Sequence, residues 1–148
     1  NLFITCTDSK NSRIQLSKLL KAYRSNNSYT DYNTPLYWTD YGNAQKTGQV
    51  IVGTIRKNIK QPESKKFETV QRLPFVTEYV KGYTRYKEEE SGPSCSLAEA
   101  LGKQDLFVNS SLAHLGCSLL WKMFREGVIF FHGFYMNLDT MHVNPITL

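Results

Sequence analysis

Hydrophobic positions along this chain fall into short blocks separated by polar stretches, and the spacing inside each block predicts its element. Residues 2–6, LFITC, form a continuous apolar run rich in β-formers, the pattern of a strand buried on both faces as in a parallel sheet. Ile14, Leu16, Leu19, Leu20 and Tyr23 then recur at helical spacing, which predicts a helix over residues 13–24 capped by Asn11 or Ser12. The polar cluster SNNSYTDYNTP ends it, and Pro35 opens a second strand over residues 36–39. The opening third therefore reads β-α-β, with a right-handed parallel crossover.

Residues 40–48 are turn-rich, with Gly42, Asn43 and Gly48, and lead into a strand over residues 49–55. So short a connection cannot hold a crossover helix, so this pair is expected to be antiparallel. Over residues 56–92 the pattern dissolves into a long, charged, crossover-type loop; loops of this length are functional or mobile. Within it, residues 73–76 can dock locally and residues 77–80 suggest a short helix. A short helix is expected at 97–101. A long one follows, starting from Asp105 or Asn109 and reaching Phe124 or Arg125. Leu112, Leu115, Leu119, Leu120 and Met123 mark its apolar face, Gly116 permits a close backbone approach, and Gly127 stops it. Strands over residues 128–136 and 141–146, joined by the turn at 137–140, form a terminal hairpin.

The 148 residues make about one domain, and 41% hydrophobic content supports a real core. The net charge of +5 is spread over residues 10–24, 46–66 and 81–87. That spread describes a solvated basic face better than a nucleic-acid stripe; contact by the Lys-rich segment 56–66 is the weaker alternative, and acidic or phosphorylated partners stay compatible. No run approaches the roughly 18 apolar residues of a membrane span, and no signal-peptide pattern is present. The three cysteines are far apart and include no CxxC pair, so no structural zinc is expected, and a reducing, cytoplasmic compartment fits best. Cys6 and Cys117 stand in apolar contexts and are expected to be buried thiols.

Two positions carry candidate chemistry. Cys95, in GPSC ahead of SLAEALGKQD, sits where a loop turns helical. Unpaired N–H groups and the helix dipole favour a thiolate there, although a small residue near a cap is the plainer account. Asp8 follows the first strand at the edge where open α/β sheets bind ligands. It can hold magnesium beside nucleotide phosphates or act as a turn aspartate. Arg13 can clamp a phosphate or lie exposed on its helix. His114 reads as a helix-packing residue, and His132 and His142 lie on the terminal hairpin without metal-ligand spacing.

Together these segments resemble a known family. FITCTDSKNSR is similar to the strand-end signature of the ThiF/MoeB/HesA proteins, the ubiquitin-activating-enzyme-like adenylyltransferases. Cys6, Thr7, Asp8 and Arg13 fit that signature, whereas Ser9 replaces its usual Asn. PLYWTDYGNAQKTGQVIVGTI resembles the next two strands, GPSCSLAEALGKQDLFVNSSLAHLGCSLLWKMF the active-site cysteine loop and its helix, and residues 127–145 the carboxyl-terminal strands. The likeness is nearest to the ThiF-family members of the PRTRC gene cassette. It covers most of the chain, failing mainly over residues 56–90.

The resemblance implies an α/β fold, the C-terminal portion of a Rossmann-like ThiF/MoeB-type doubly wound mixed sheet spanning residues 1–148. It also implies binding of ATP and magnesium, and adenylation of the terminal glycine of a ubiquitin-like or sulfur-carrier protein. Carried over, Asp8 holds magnesium, Ser9 sits at the nucleotide edge with Arg13 near the phosphates, and Cys95 is the acceptor thiol. The family's Gly-rich nucleotide loop precedes the region resembled here, so this stretch is expected not to turn over ATP alone. Family members commonly dimerise, which implies self-association. The competing reading is a protein-binding module that keeps the fold without the chemistry.

Overall fold

The computed structural model describes residues 1–26, 35–57, 61–64, 66–85, 102 and 104–148. In chain order the described elements are β1 (Leu2–Thr5), α1 (Lys10–Asn26), β2 (Tyr37–Asn43), β3 (Thr47–Thr54), the single turn α2 (Val76–Tyr79), a 3-10 turn (Tyr83–Arg85), α3 (Val108–Glu126), β4 (Phe131–Asn137) and β5 (His142–Thr147). The strands form one mixed α/β sheet in the order β1-β2-β3-β4-β5. β1 and β2 are parallel, with Leu2 opposite Tyr37 and Thr5 opposite Asp40, and every later pairing is antiparallel.

The alternation of β3 divides the core between two layers. Val50 and Val52 face α3, where they pack with Val108, Leu112, Leu119 and Leu120. Ile51 and Ile55 face the other way, into a cluster with Trp38, Phe75, Val76 and Ile146 that Leu16, Leu20 and Tyr23 of α1 close over. Phe75 is held edge-on to Trp38 at 5.1 Å and lies under the Arg24 guanidinium at 4.5 Å. The chain beside it is pinned to the end of β3, with Thr54 N–H donating to the Leu73 carbonyl and Leu73 N–H to Thr54 Oγ1. Residues 73–76 thus dock as expected, and the one-turn helix begins one residue earlier than expected.

Several boundaries differ from the sequence reading, for physical reasons. α1 starts at Lys10 because Ser9, not Asn11 or Ser12, caps it, its Oγ accepting from Ser12 N–H at 3.3 Å. Residues 40–43 continue β2 rather than forming a turn, since Asp40 pairs with Ile51 and Asn43 with Gly48. The turn is confined to residues 44–47, closed by Ala44 N–H on the Thr47 carbonyl at 2.8 Å. β1 is an edge strand and is not buried on both faces: Phe3 is 37% and Ile4 49% exposed. Leu19 and Leu115, assigned to apolar faces by spacing, lie on their outer flanks and are exposed. His114 is likewise exposed, its Nδ1 2.7 Å from the Ser110 carbonyl.

Two glycines act as expected. Gly127 closes α3 in the left-handed region, at φ 68°, donating to the Met123 carbonyl. A Cβ on Gly116 would overlap the Tyr41 ring, so the glycine sets how closely α3 approaches β2. The final turn is built on Asn137, whose Oδ1 accepts from the N–H groups of Asp139 and Thr140. Among the described residues no helix is long and apolar enough to cross a membrane.

Candidate functional site

The parallel β1–β2 pair brings together a set of polar groups at its carboxyl end. Past Thr5 the chain leaves the sheet through Cys6, Thr7 and Asp8 and re-enters secondary structure at Lys10, with Ser9 as the helix cap. A strand followed at once by a helix start is the arrangement that gathers exposed side chains and free backbone N–H groups at a sheet edge. Asp8 is exposed, and none of the ion pairs among the described residues involves it. The Thr7 hydroxyl oxygen beside it is sealed from solvent yet has no hydrogen-bond partner there. An orphaned buried hydroxyl next to a free carboxylate is a place where a polar ligand atom would complete a bond.

Directly beneath runs a buried network. Trp38 Nε1–H donates to Thr5 Oγ1 at 2.8 Å, and the Thr5 hydroxyl donates to Asp40 Oδ1 at 2.9 Å. Arg13 Nε meets both Asp40 carboxylate oxygens at 3.0 and 2.9 Å, while its Nη2 donates to the Tyr41 carbonyl at 3.0 Å. The side chains of Asp40 and Arg13 are only 1% and 9% exposed. Burial pushes the Asp40 carboxyl up, and Arg13 and Thr5 pull against it. Burial also works against the Arg13 charge, but the Asp40 carboxylate and Tyr83 together outweigh it and leave the guanidinium pKa raised. The network therefore ties the first turn of α1 to both parallel strands and fixes the loop carrying Thr7 and Asp8.

The expected site residues are distributed as follows. Asp8 and Ser9 are neighbours at the strand end, Ser9 serving as the helix cap. Arg13 belongs to the same corner, but its guanidinium is turned inward onto Asp40. Cys95 lies outside the described residues, as do the short helix expected at 97–101 and part of the Lys-rich segment 56–66. Cys6 and Cys117, expected as buried thiols, are both exposed: Cys6 has left the sheet at its open edge, and Cys117 is next to the buried Gly116 on the solvent flank of α3.

The structure adds Thr5, Trp38 and Asp40, which the sequence reading did not single out. The signal for Asp40 was its spacing from Trp38: two residues apart on a strand place both side chains on the face that α1 covers. Elsewhere, a cavity of about 160 Å³ opens between the last turns of α3 and residues 128–131. It is lined by Leu119, Lys122, Glu126 and Phe131 among others, and by none of residues 5–9.

Magnesium is bound through one or two carboxylates plus substrate phosphates and water rather than by an all-protein cage. One free carboxylate, an unpartnered hydroxyl and a helix start fit that requirement. Among the described residues no group of three or more His, Cys, Asp or Glu could hold a metal ion by itself. A scan against protein-family models finds no match, and a search of curated proteins finds none either.

Proposed function

We propose that this chain is part of an ATP-dependent adenylyltransferase of the ThiF/MoeB type, activating the terminal carboxyl of a ubiquitin-like or sulfur-carrier protein. The observation that supports this most is Asp8, exposed at the carboxyl end of a parallel strand and immediately ahead of a capped helix start. The sheet that carries it, one parallel pair followed by antiparallel strands and covered on both faces by helices, is compatible with the Rossmann-like, doubly wound reading. In this reading Asp8 holds the magnesium that neutralises nucleotide phosphates. Ser9 and the first N–H groups of α1 line the phosphate edge, and the Arg13–Asp40 pair keeps that corner rigid. Cys95 is the acceptor thiol by its place in the sequence. The open β1 edge, with Phe3 and Ile4 exposed, supports self-association.

ATP–pyrophosphate exchange by the full-length protein, with candidate carrier proteins, tests the proposal. Exchange that Asp8→Ala abolishes is expected; exchange that Asp8→Ala leaves untouched removes the assigned role. A second reading, a protein-binding module on the same fold, is favoured by one feature. The Arg13 guanidinium is spent on Asp40 and the Tyr41 carbonyl instead of facing the ligand edge. On that reading the full-length protein binds its partner but shows no exchange.

A further inference from the structure

α3 carries two apolar stripes, and the sheet covers only one of them. Val108, Leu112, Gly116, Leu119 and Leu120 are buried against the strands. Phe107, Trp121 and Phe124, by contrast, are 64%, 62% and 63% exposed, and Cys117 between them is exposed as well. Phe107, Ser110, His114, Cys117, Trp121 and Phe124 follow one another in alternating steps of three and four residues. At about 100° per residue these steps keep all six within a stripe about 100° wide, on the side of the helix away from the buried one. Phe107 belongs to it because its backbone is already helical, at φ −99° and ψ −3°. A repeat of this kind is the seam of a helix–helix contact, and on α3 it faces outward.

The polar members of the stripe are satisfied by the helix itself. The Ser110 hydroxyl donates to the Phe107 carbonyl at 3.0 Å, and His114 Nδ1 lies 2.7 Å from the Ser110 carbonyl. Covering the stripe leaves neither of these atoms without a partner.

We propose that α3 packs antiparallel against α3 of a second copy of this chain, forming a two-fold dimer. A two-fold axis beside residues 115–116 sets Phe107 against the partner's Phe124, Ser110 against the partner's Trp121 and His114 against the partner's Cys117, so the largest side chain of the stripe meets the smallest. A parallel pair would instead stack Trp121 on its own copy. Charge selects the same arrangement. Arg125 flanks the stripe, 5.7 Å over the Trp121 ring, and the antiparallel register brings it beside the partner's Asp105, which is exposed ahead of the helix start. In a parallel pair Arg125 would face Arg125. The area is adequate too. At roughly 120 Å² exposed per ring, the aromatic side chains of two copies bring about 700 Å² together, over half of the ~1,200 Å² at which stable interfaces begin. Leu106, 67% exposed, and the shorter side chains of the stripe add to it. This surface is separate from the β1 edge, and the inference stands apart from the nucleotide reading.

Sedimentation velocity of the protein over a series from about 1 to 100 μM tests the pairing. A dimer is expected at the upper end. Trp121→Ser/Phe124→Ser should raise its dissociation constant at least about 100-fold, with the far-ultraviolet circular dichroism unchanged because both side chains are exposed. Ile4→Thr, on the β1 edge, should leave the dimer intact. Arg125→Glu should weaken it about tenfold, and adding Asp105→Arg should restore it, since the two charges then exchange places across the axis. The wild-type protein supplies a readout that needs no variant. Of the two tryptophans in the sequence, Trp38 is 1% exposed, so dilution through the dimer–monomer transition should shift the emission to the red as Trp121 returns to water. A monomer throughout the series, a dimer that Trp121→Ser/Phe124→Ser leaves intact, one that Ile4→Thr breaks, or a stripe covered only by a different protein overturns the proposal.

Discussion

Replacing Asp40 by alanine tests the frame beneath the candidate site. The substitution leaves the Arg13 guanidinium in a pocket where its side chain is 9% exposed, with the Tyr41 carbonyl and the Tyr83 side chain as its remaining partners. It also removes the acceptor of the Thr5 hydroxyl. Breaking a buried pair by removing one partner costs about 3–5 kcal/mol, because an uncompensated charge stays behind. The remaining bonds to Tyr41 and Tyr83 and the slight exposure of Arg13 put this case at the lower end, about 3 kcal/mol. For a chain of this size that lowers the melting temperature by roughly 6–12 °C. Urea unfolding of wild type, Asp40→Ala, Asp40→Leu, Arg13→Met and the Asp40→Leu/Arg13→Met double variant reads the loss and the coupling directly. The double variant should be more stable than the sum of the single losses requires, since it leaves neither charge stranded. An Asp40→Ala loss below about 1 kcal/mol, or losses additive to within about 0.5 kcal/mol, would refute the claim that the pair acts as a unit.

Other consequences follow from the packing. Gly116→Ala forces a methyl group into the Tyr41 ring and should cost about 1–3 kcal/mol, the usual penalty of overpacking. Pairing it with Tyr41→Phe, which keeps the ring, should recover little, whereas Tyr41→Leu should recover more; chemical denaturation of the set distinguishes them. His132 is buried, its Nδ1 3.0 Å from the Val52 carbonyl and its ring edge-on to Tyr79 at 5.3 Å. Burial lowers its pKa, so the unfolded chain takes up a proton more readily than the folded one. The stability it contributes is therefore present above about pH 6.5 and lost as the pH falls toward the folded value. Wild-type unfolding midpoints should decline below about pH 6.5, and His132→Gln should flatten that decline; equal slopes in both proteins would count against the assignment. Glu78 acts at lower pH. Burial favours its neutral form, but Phe75 N–H, Arg72 and Lys21 outweigh that and leave its carboxyl below the ordinary value. Its contribution is present above the ordinary glutamate range and disappears as the pH drops through its folded value.

Much of the architecture is written in local pattern. The helical spacing of Leu112, Leu119, Leu120 and Met123 and the stop at Gly127 locate α3. The ten-residue gap before the Val50–Val52 strand likewise implies the antiparallel turn that Ala44 and Thr47 close. What local pattern could not carry was exposure. An apolar run such as LFITC looks the same in a central strand and at a sheet edge, and only the strand order shows that β1 has β2 as its single neighbour among the described residues. The same lack of tertiary context made Cys6 and Cys117 look buried. At the site, Asp8 and Ser9 were legible because a strand end followed by a helix start is a sequence signal. Arg13 was legible as a residue of that corner, but its partner was not. Asp40 is 27 residues away, in a stretch whose glycine and asparagine suggested a turn, and only the parallel pairing of β1 with β2 brings the two together.

The central claim is that the end of β1 holds a magnesium nucleotide through Asp8, and calorimetric titration of ATP into the full-length protein tests it most directly. With magnesium present the account predicts saturable binding. Asp8→Asn should weaken it at least about tenfold, or ~1.4 kcal/mol, while the unfolding midpoint of the variant stays at the wild-type value because Asp8 is exposed and outside the described ion pairs. Binding that is indifferent to both magnesium and Asp8, or no binding at all, contradicts it.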